Sequence, residues 1–181
     1  MGRYPPPGVE TPARAAGPTT VDLHTHSRRS DGVLEPRALV AAAAATGVRL
    51  LALTDHDTLA GVRELRSAGA PPLPAGLELV AGIELSTTVD GDRELHLLGY
   101  GLDPDNDRLE ARLAAFRAER RRRFERIVDR LRAIGCPVDE ALAGLDLAAT
   151  DALGRPTIAR ALVAAGYASS VADAFERFLG R

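Results

Sequence analysis

The hydrophobic positions change rhythm twice along the chain. Residues 1–19 are rich in Pro, Ala and Gly and show no period, so we expect a disordered tail there. From Thr20 a short apolar run around Val21 and Leu23 leads into the polar segment HTHSRRSDG, as a strand leads into a loop. Pro36 to Thr46 reads as a helix, with Pro in its first turn and Gly47 as its stop. Val48 to Leu53, VRLLAL, has the length and character of a strand buried on both faces. Leu59 to Ala68 reads as a second helix. Leu77–Thr88 contains a third strand and Glu94–Gly101 a fourth, with Asp90-Gly91 between them as a hairpin signal. After Pro104 the period becomes helical. Leu109, Leu113, Phe116, Phe124, Ile127, Leu131 and Ile134 form one stripe up to Gly135, broken by Arg at position 120. Shorter helices are expected around 138–145, 156–165 and 170–179.

This pattern predicts an α/β unit over 20–104, mostly parallel with one hairpin, followed by an all-helical subdomain over 105–181. About 85 residues of α/β pattern is less than half of what a closed α/β barrel needs. Composition adds limits on chemistry. The single cysteine, Cys136, excludes a disulfide framework and a thiolate zinc cage. All 23 basic residues are Arg, which excludes Schiff-base chemistry and a P-loop lysine. The net charge of -2 argues against broad nucleic-acid binding, and no stable DNA partner is expected. No apolar run is long enough for a membrane span, and the first twenty residues lack a signal peptide's apolar core, so the cytoplasm is the expected location.

The four histidines all fall between positions 24 and 96, each read as lying at or beside a strand end. His24 and His26, two residues apart on a strand, point to the same side and can reach one metal ion. Asp31 follows in a Ser-Asp-Gly turn, His56 comes directly after the VRLLAL strand, Glu84 lies in the next strand and His96 in the one after. Carboxyl ends of strands carry the active sites of parallel α/β folds. An imidazole and carboxylate set without thiolate suits Zn, Mn or Fe.

Four segments together carry a resemblance: Val21-Asp22-Leu23-His24-Thr25-His26 with Ser30-Asp31-Gly32; Leu53-Thr54-Asp55-His56-Asp57-Thr58; Gly82-Ile83-Glu84; and His96-Leu97-Leu98-Gly99-Tyr100. In order and spacing the chain resembles the PHP (polymerase and histidinol phosphatase) family from about residue 20 to 181. Gly154-Arg155-Pro156 and Ala174-Phe175 resemble its branch of nucleotide phosphatases and 5′-to-3′ exoribonucleases. The resemblance implies the N-terminal part of a distorted seven-stranded (β/α) PHP barrel, incomplete in this chain, with a helical insertion. It also implies a centre of two or three divalent metals (Mn, Zn, Fe or Mg). His24 and His26 would hold one metal, Asp31 and His56 a second, and Glu84 would bridge the first to a third that His96 also binds. Such a centre activates hydroxide and neutralises a phosphate in an in-line displacement. The implied function is a metal-dependent phosphoesterase acting on nucleotides or RNA 5′ ends.

Arg120 falls on the apolar stripe, and an inward-facing Arg has an anionic partner. We expect it to reach a substrate phosphate together with Arg123 and Arg155, with a buried ion pair to a carboxylate of the helical insertion as the alternative. Asp55 is expected to take a supporting or turn role beside His56. Two further readings stay open: a non-catalytic, truncated or degenerate chain that binds metal weakly, and self-association through an unpaired sheet edge.

Overall fold

The structure of the chain, a computed structural model, describes residues 20–89, 93–145, 147 and 150–180. The expected tail over 1–19 and the Asp90-Gly91 turn lie outside the described residues. The elements run β1 (Val21–Thr25), α1 (Pro36–Ala45), β2 (Leu50–Leu53), α2 (Ala60–Arg66), β3 (Glu78–Val89), β4 (Arg93–Tyr100), α3 (Asp107–Ala133), α4 (Asp139–Ala143), α5 (Arg155–Ala164) and α6 (Val171–Ala174), then a π-helical turn over Phe175–Leu179. The strands form one sheet in the order β1-β2-β3-β4. The first two pairings are parallel and the last antiparallel.

Two boundaries differ from the sequence pattern for local reasons. The second strand begins at Leu50 rather than Val48, because the chain is still closing α1 there. Gly47 takes φ 92°, and the Val48 N–H returns to the Ala43 carbonyl, which leaves Val48 in the helix-ending turn. Ile134, expected on the apolar stripe of α3, is 59% exposed. It caps the helix, and Gly135 at φ 80° reverses the chain so that the Cys136 N–H bonds the Leu131 carbonyl. Val128, not Ile134, continues the buried face.

Two apolar clusters hold the chain. Val40, Leu51, Leu53, Leu59, Val62, Leu65 and Ile83 fill the space between sheet and helices, joined by Leu113 from α3. Phe124, Val128 and Leu131 of α3 instead pack with Val138, Ile158, Leu162, Ala174 and Leu179. At 27 residues α3 is about 40 Å long, long enough to serve both cores. Arg120 is buried where the helix passes from one to the other.

The sheet curls. β3 pairs with β2 through Glu78–Ala81 only, then runs past the carboxyl end of β2 to pair with β4. Tyr100 on β4 reaches back across the mouth and donates from its hydroxyl to the Leu23 carbonyl of β1 at 2.9 Å. The carboxyl ends of β1 and β2 and the overhang of β3 therefore converge on one concave place.

Candidate metal centre

Glu84 stands in the overhang of β3, three residues past Ala81, where the pairing with β2 ends, and is 5% exposed. A parallel bridge between His56 and Glu84 continues the same register three residues beyond the end of β2. The Asp57 N–H donates to the Glu84 carbonyl and the Glu84 N–H to the Asp55 carbonyl, so the loop after β2 is zipped onto β3. The Glu84 carboxylate is surrounded by imidazoles. Its Oε2 lies 2.8 Å from His24 Nε2, 2.9 Å from His26 Nε2 and 3.8 Å from His56 Nδ1. Its Oε1 lies 2.5 Å from His96 Nδ1. Asp31 closes the other side, 3.3 Å from His26 Nδ1 and 3.4 Å from His56 Nε2. Successive rings His24, His26, His56 and His96 sit 5.1, 4.8 and 4.9 Å apart.

The six expected ligands therefore meet in one cluster. They fall into three overlapping triads: His24, His26 and Glu84; His26, Asp31 and His56; His56, Glu84 and His96. His26 and His56 are shared between triads as well as Glu84, an overlap that spacing along the chain does not show. His96 sits inside β4, not at a strand end as the sequence suggested. It reaches the centre because β4 runs antiparallel, placing His96 opposite Ser86 and Leu98 opposite Glu84.

These residues fit a metal. The ligand atoms of each triad lie within 4.8 Å of one another, compatible with bonds of about 2.0–2.2 Å to a central ion. His56 Nδ1 is buried without a hydrogen-bond partner, which is costly for a ring nitrogen unless a ligand takes its lone pair. Electrostatics keep the set ready. Burial would raise the Asp31 carboxyl, but the contact with His56 and the charges of His56, His26 and Arg120 outweigh it and hold it at about 2. Burial would likewise raise Glu84, and its imidazole neighbours bring it below the usual value. Burial, with His56 nearby, lowers His26 against the pull of Asp31 and Glu84, favouring the neutral ring that binds metal.

Asp55 does not touch an imidazole. It accepts from the Ser27 N–H (2.7 Å), the Ser27 hydroxyl (2.6 Å) and the Ser30 hydroxyl (2.7 Å), and Ser30 Oγ lies 3.4 Å from His26 Nδ1. Its role is to fix the turn that carries His26 and Asp31. Burial raises its carboxyl despite these donors. Arg120, Arg123 and Arg155 come together with Asp31, His56 and His96 around a cavity of about 200 Å³. Arg120 also has internal partners on the α/β unit. Its Nε is 3.4 Å from Asp57 Oδ2, and its Nη1 donates to Ser86 Oγ at 3.0 Å.

Asp57 is the residue that sequence reasoning undervalued. It is fully buried at φ 52°, accepts from the Ser86 N–H at 2.9 Å, and its carbonyl takes a bond from Arg117 at 3.0 Å. Asp tolerates the left-handed region better than most residues. The doubled acid in Asp55-His56-Asp57 was the available signal.

The sequence profile described as PHP domain matches residues 22–133, more than half of the chain. The chain belongs to the PHP domain family. Among its relatives, a 5′-3′ exoribonuclease of Haemophilus influenzae is 41% identical over 160 residues, covering 88% of this chain and 56% of that one. A 3′,5′-nucleoside bisphosphate phosphatase of Chromobacterium violaceum is 35% identical, covering 88% and 54%. A solved amidohydrolase from Chromobacterium violaceum, holding sulfate and no metal, superposes with a TM-score of 0.77 at 34% identity over 90% of this chain and 56% of that chain. This PHP domain thus spans about half the length of the curated relatives it matches. The four-stranded curled sheet is accordingly part of a PHP barrel.

Proposed function

We propose that this PHP domain carries the metal-binding part of a phosphoesterase that hydrolyses phosphate esters of nucleotides or RNA 5′ ends. One observation carries the reading. The cavity of about 200 Å³ is lined both by Asp31, His56 and His96 of the candidate metal cluster and by the guanidiniums of Arg120, Arg123 and Arg155. A cavity shared by candidate metal ligands and arginines suits a phosphate held between cations. The sulfate in the Chromobacterium violaceum neighbour and the names of the two relatives support the same chemistry.

Divalent ions, Mn, Zn or Fe before Mg given four imidazoles, would be held by His24, His26, Asp31, His56, Glu84 and His96, and supply Lewis acidity toward phosphoryl oxygen and water. The residues do the rest. Asp31 and Glu84 remain ionised at neutral pH. Asp55 locks the Ser27–Ser30 turn. Asp57 and Ser86 aim Arg120 across the cavity, and Arg123 and Arg155 balance charge on the phosphoryl oxygens. The partner is a small phosphorylated substrate, a nucleotide or short RNA. Among the described residues no helix is long and apolar enough to cross a membrane.

The test is phosphate release from adenosine 3′,5′-bisphosphate and 5′-phosphorylated RNA with Mn. Turnover should vanish on chelation and in the His24→Ala, His26→Ala double variant; turnover that survives both sinks the reading. A second reading, weak metal binding without turnover, draws on the chain's alignment to just over half of each relative. Stoichiometric metal with no phosphate release would select it.

A further inference from the structure

The loop after β1 directs its donors and its acceptors to different partners. The Ser27 N–H goes to Asp55, the Arg28 N–H to the Leu34 carbonyl, and the Ser30 and Gly32 N–H groups to the Ser27 carbonyl, all within the α/β unit. The carbonyls of Arg29, Ser30 and Asp31, three in a row, are taken by the chain after α4. The Asp151 N–H donates to the Arg29 carbonyl at 2.9 Å. Thr150 Oγ1 lies 2.6 Å from the Ser30 carbonyl oxygen and 3.3 Å from that of Arg29. A hydroxyl has one hydrogen, and the shorter contact takes it. Arg160 Nη1, from α5, donates to the Asp31 carbonyl at 3.2 Å.

The same segment reaches the loop after β2. Asp151 Oδ2 accepts from the hydroxyl of Thr58, two residues past His56, at 3.1 Å. Ala152 and Leu153, next along the chain, are buried, so the segment cannot drift without exposing apolar surface. It is therefore fastened to both loops that supply the triad of His26, Asp31 and His56. His24, Glu84 and His96 stand on β1, β3 and β4, where the sheet ladder already fixes the backbone. Asp31 has no ladder. Its carboxylate must come within 3.3 Å of His26 and 3.4 Å of His56 from a turn.

We infer that Thr150 and Arg160 are positioning residues for one metal site of the cluster. They hold the backbone of Asp31 where its carboxylate meets His26 and His56, so the helical half sets the affinity of that site and not of the sites built on Glu84. The inference rests on the metal-binding reading above. A group that orients a ligand without touching the ion is worth roughly 10–100-fold in affinity.

The whole chain, stripped of metal, is titrated with Zn against a chelating dye so that successive binding steps are resolved. Thr150→Val keeps the branched shape and removes the donor; Arg160→Met keeps the stem and removes the guanidinium. Each should weaken one Zn step by about tenfold or more and leave the others unchanged. Thr150→Ser, which returns a hydroxyl, should restore the weakened step. In the metal-free protein the imidazole NMR signals of His26 and His56, which face Asp31, should move in Thr150→Val while those of His24 and His96 stay. A merely structural role would lower every step together with the metal-free urea midpoint. That outcome, or Zn binding unchanged in both variants, overturns the inference. A parent chain that takes up no Zn, with His26 and His56 signals that still move in Thr150→Val, separates the two claims: the loop is held as inferred and the metal reading fails.

Discussion

Glu84 faces all four imidazoles with one carboxylate, which makes it the most connected residue of the centre. Losing even a supporting group beside a metal ligand costs roughly 10–100-fold in affinity, so Glu84→Gln should weaken Mn or Zn binding about 100-fold or more, measured by competition with a chelating dye. A loss below about tenfold would remove Glu84 from the ligand set. Asp31 makes a prediction of a different kind. Its folded pKa, about 2, lies below the ordinary 3.8. A depressed carboxyl stabilises the fold above its unfolded pKa, and the contribution is lost as pH falls through the folded value. The metal-free protein should therefore lose stability as pH drops from about 4 toward about 2, and Asp31→Asn should flatten that limb of a urea-midpoint profile. Parallel profiles would show that Asp31 is not held by His56. At this scale the sequence pointed to the six side chains that meet in the cluster, because His and acidic residues beside strands are few. It did not expose Asp57 or the second partner of Arg120, because a contact between the loop after β2 and a helix sixty residues later leaves no spacing to read.

Elements bring these side chains together, and one glycine shows how tightly. A Cβ at Gly32 would overlap the His26 carbonyl oxygen, a backbone atom that cannot swing aside. The turn it closes, with Ser30 and Gly32 N–H groups both on the Ser27 carbonyl, carries Asp31 and follows His26, two members of the cluster. Gly32→Ala should cost about 2–3 kcal/mol and weaken metal binding together. Asn106→Ala is the contrast. Its side chain caps α3 by accepting from the Leu109 N–H at 3.0 Å, far from the centre. That change should cost about 1 kcal/mol in chemical denaturation and leave metal affinity alone. If both variants lose metal equally, affinity follows global stability and not the turn. Most elements were legible from period and punctuation: Pro36 and Gly47 bracket α1, and the stripe from Leu109 marks α3. The end of the chain was less so. The expected helix over 170–179 is α6 followed by a π-helical turn, a wider turn that so short an apolar pattern does not distinguish from an α-helical one. His96 was placed at a strand end because the register of β4 on β3 is set by pairing, which no single strand reveals.

For the whole molecule, the sheet ends in two edge strands that carry apolar side chains. Val21 and Leu23 on β1, and Leu95, Leu97, Leu98 and Tyr100 on β4, are all exposed. Edge strands with exposed apolar residues invite pairing. We expect concentration-dependent association in sedimentation velocity, relieved by Leu97→Lys, which adds a charge on the face opposite His96; a monomer at all concentrations would remove this expectation. The short α/β segment foretold an unpaired sheet edge but not the curl that lets Tyr100 bond Leu23, since curvature arises from sheet twist and from the overhang of β3. That curl decides how metal and fold are coupled. The six clustered side chains come from β1, the loop after it, the loop after β2, β3 and β4, so an ion bound among them would clip together residues from position 24 to 96. The unfolded chain has no such arrangement, and binding free energy therefore becomes folding free energy. Metal at a hundred times its dissociation constant should add about 2.7 kcal/mol for each occupied site. Chelation should lower the urea midpoint accordingly, by an amount that grows with metal concentration. The His24→Ala variant should lose much of this gain while keeping its metal-free midpoint, because His24 is half exposed and its removal leaves no cavity. A midpoint unmoved by saturating Mn or Zn would mean that the four imidazoles meet around Glu84 without holding an ion.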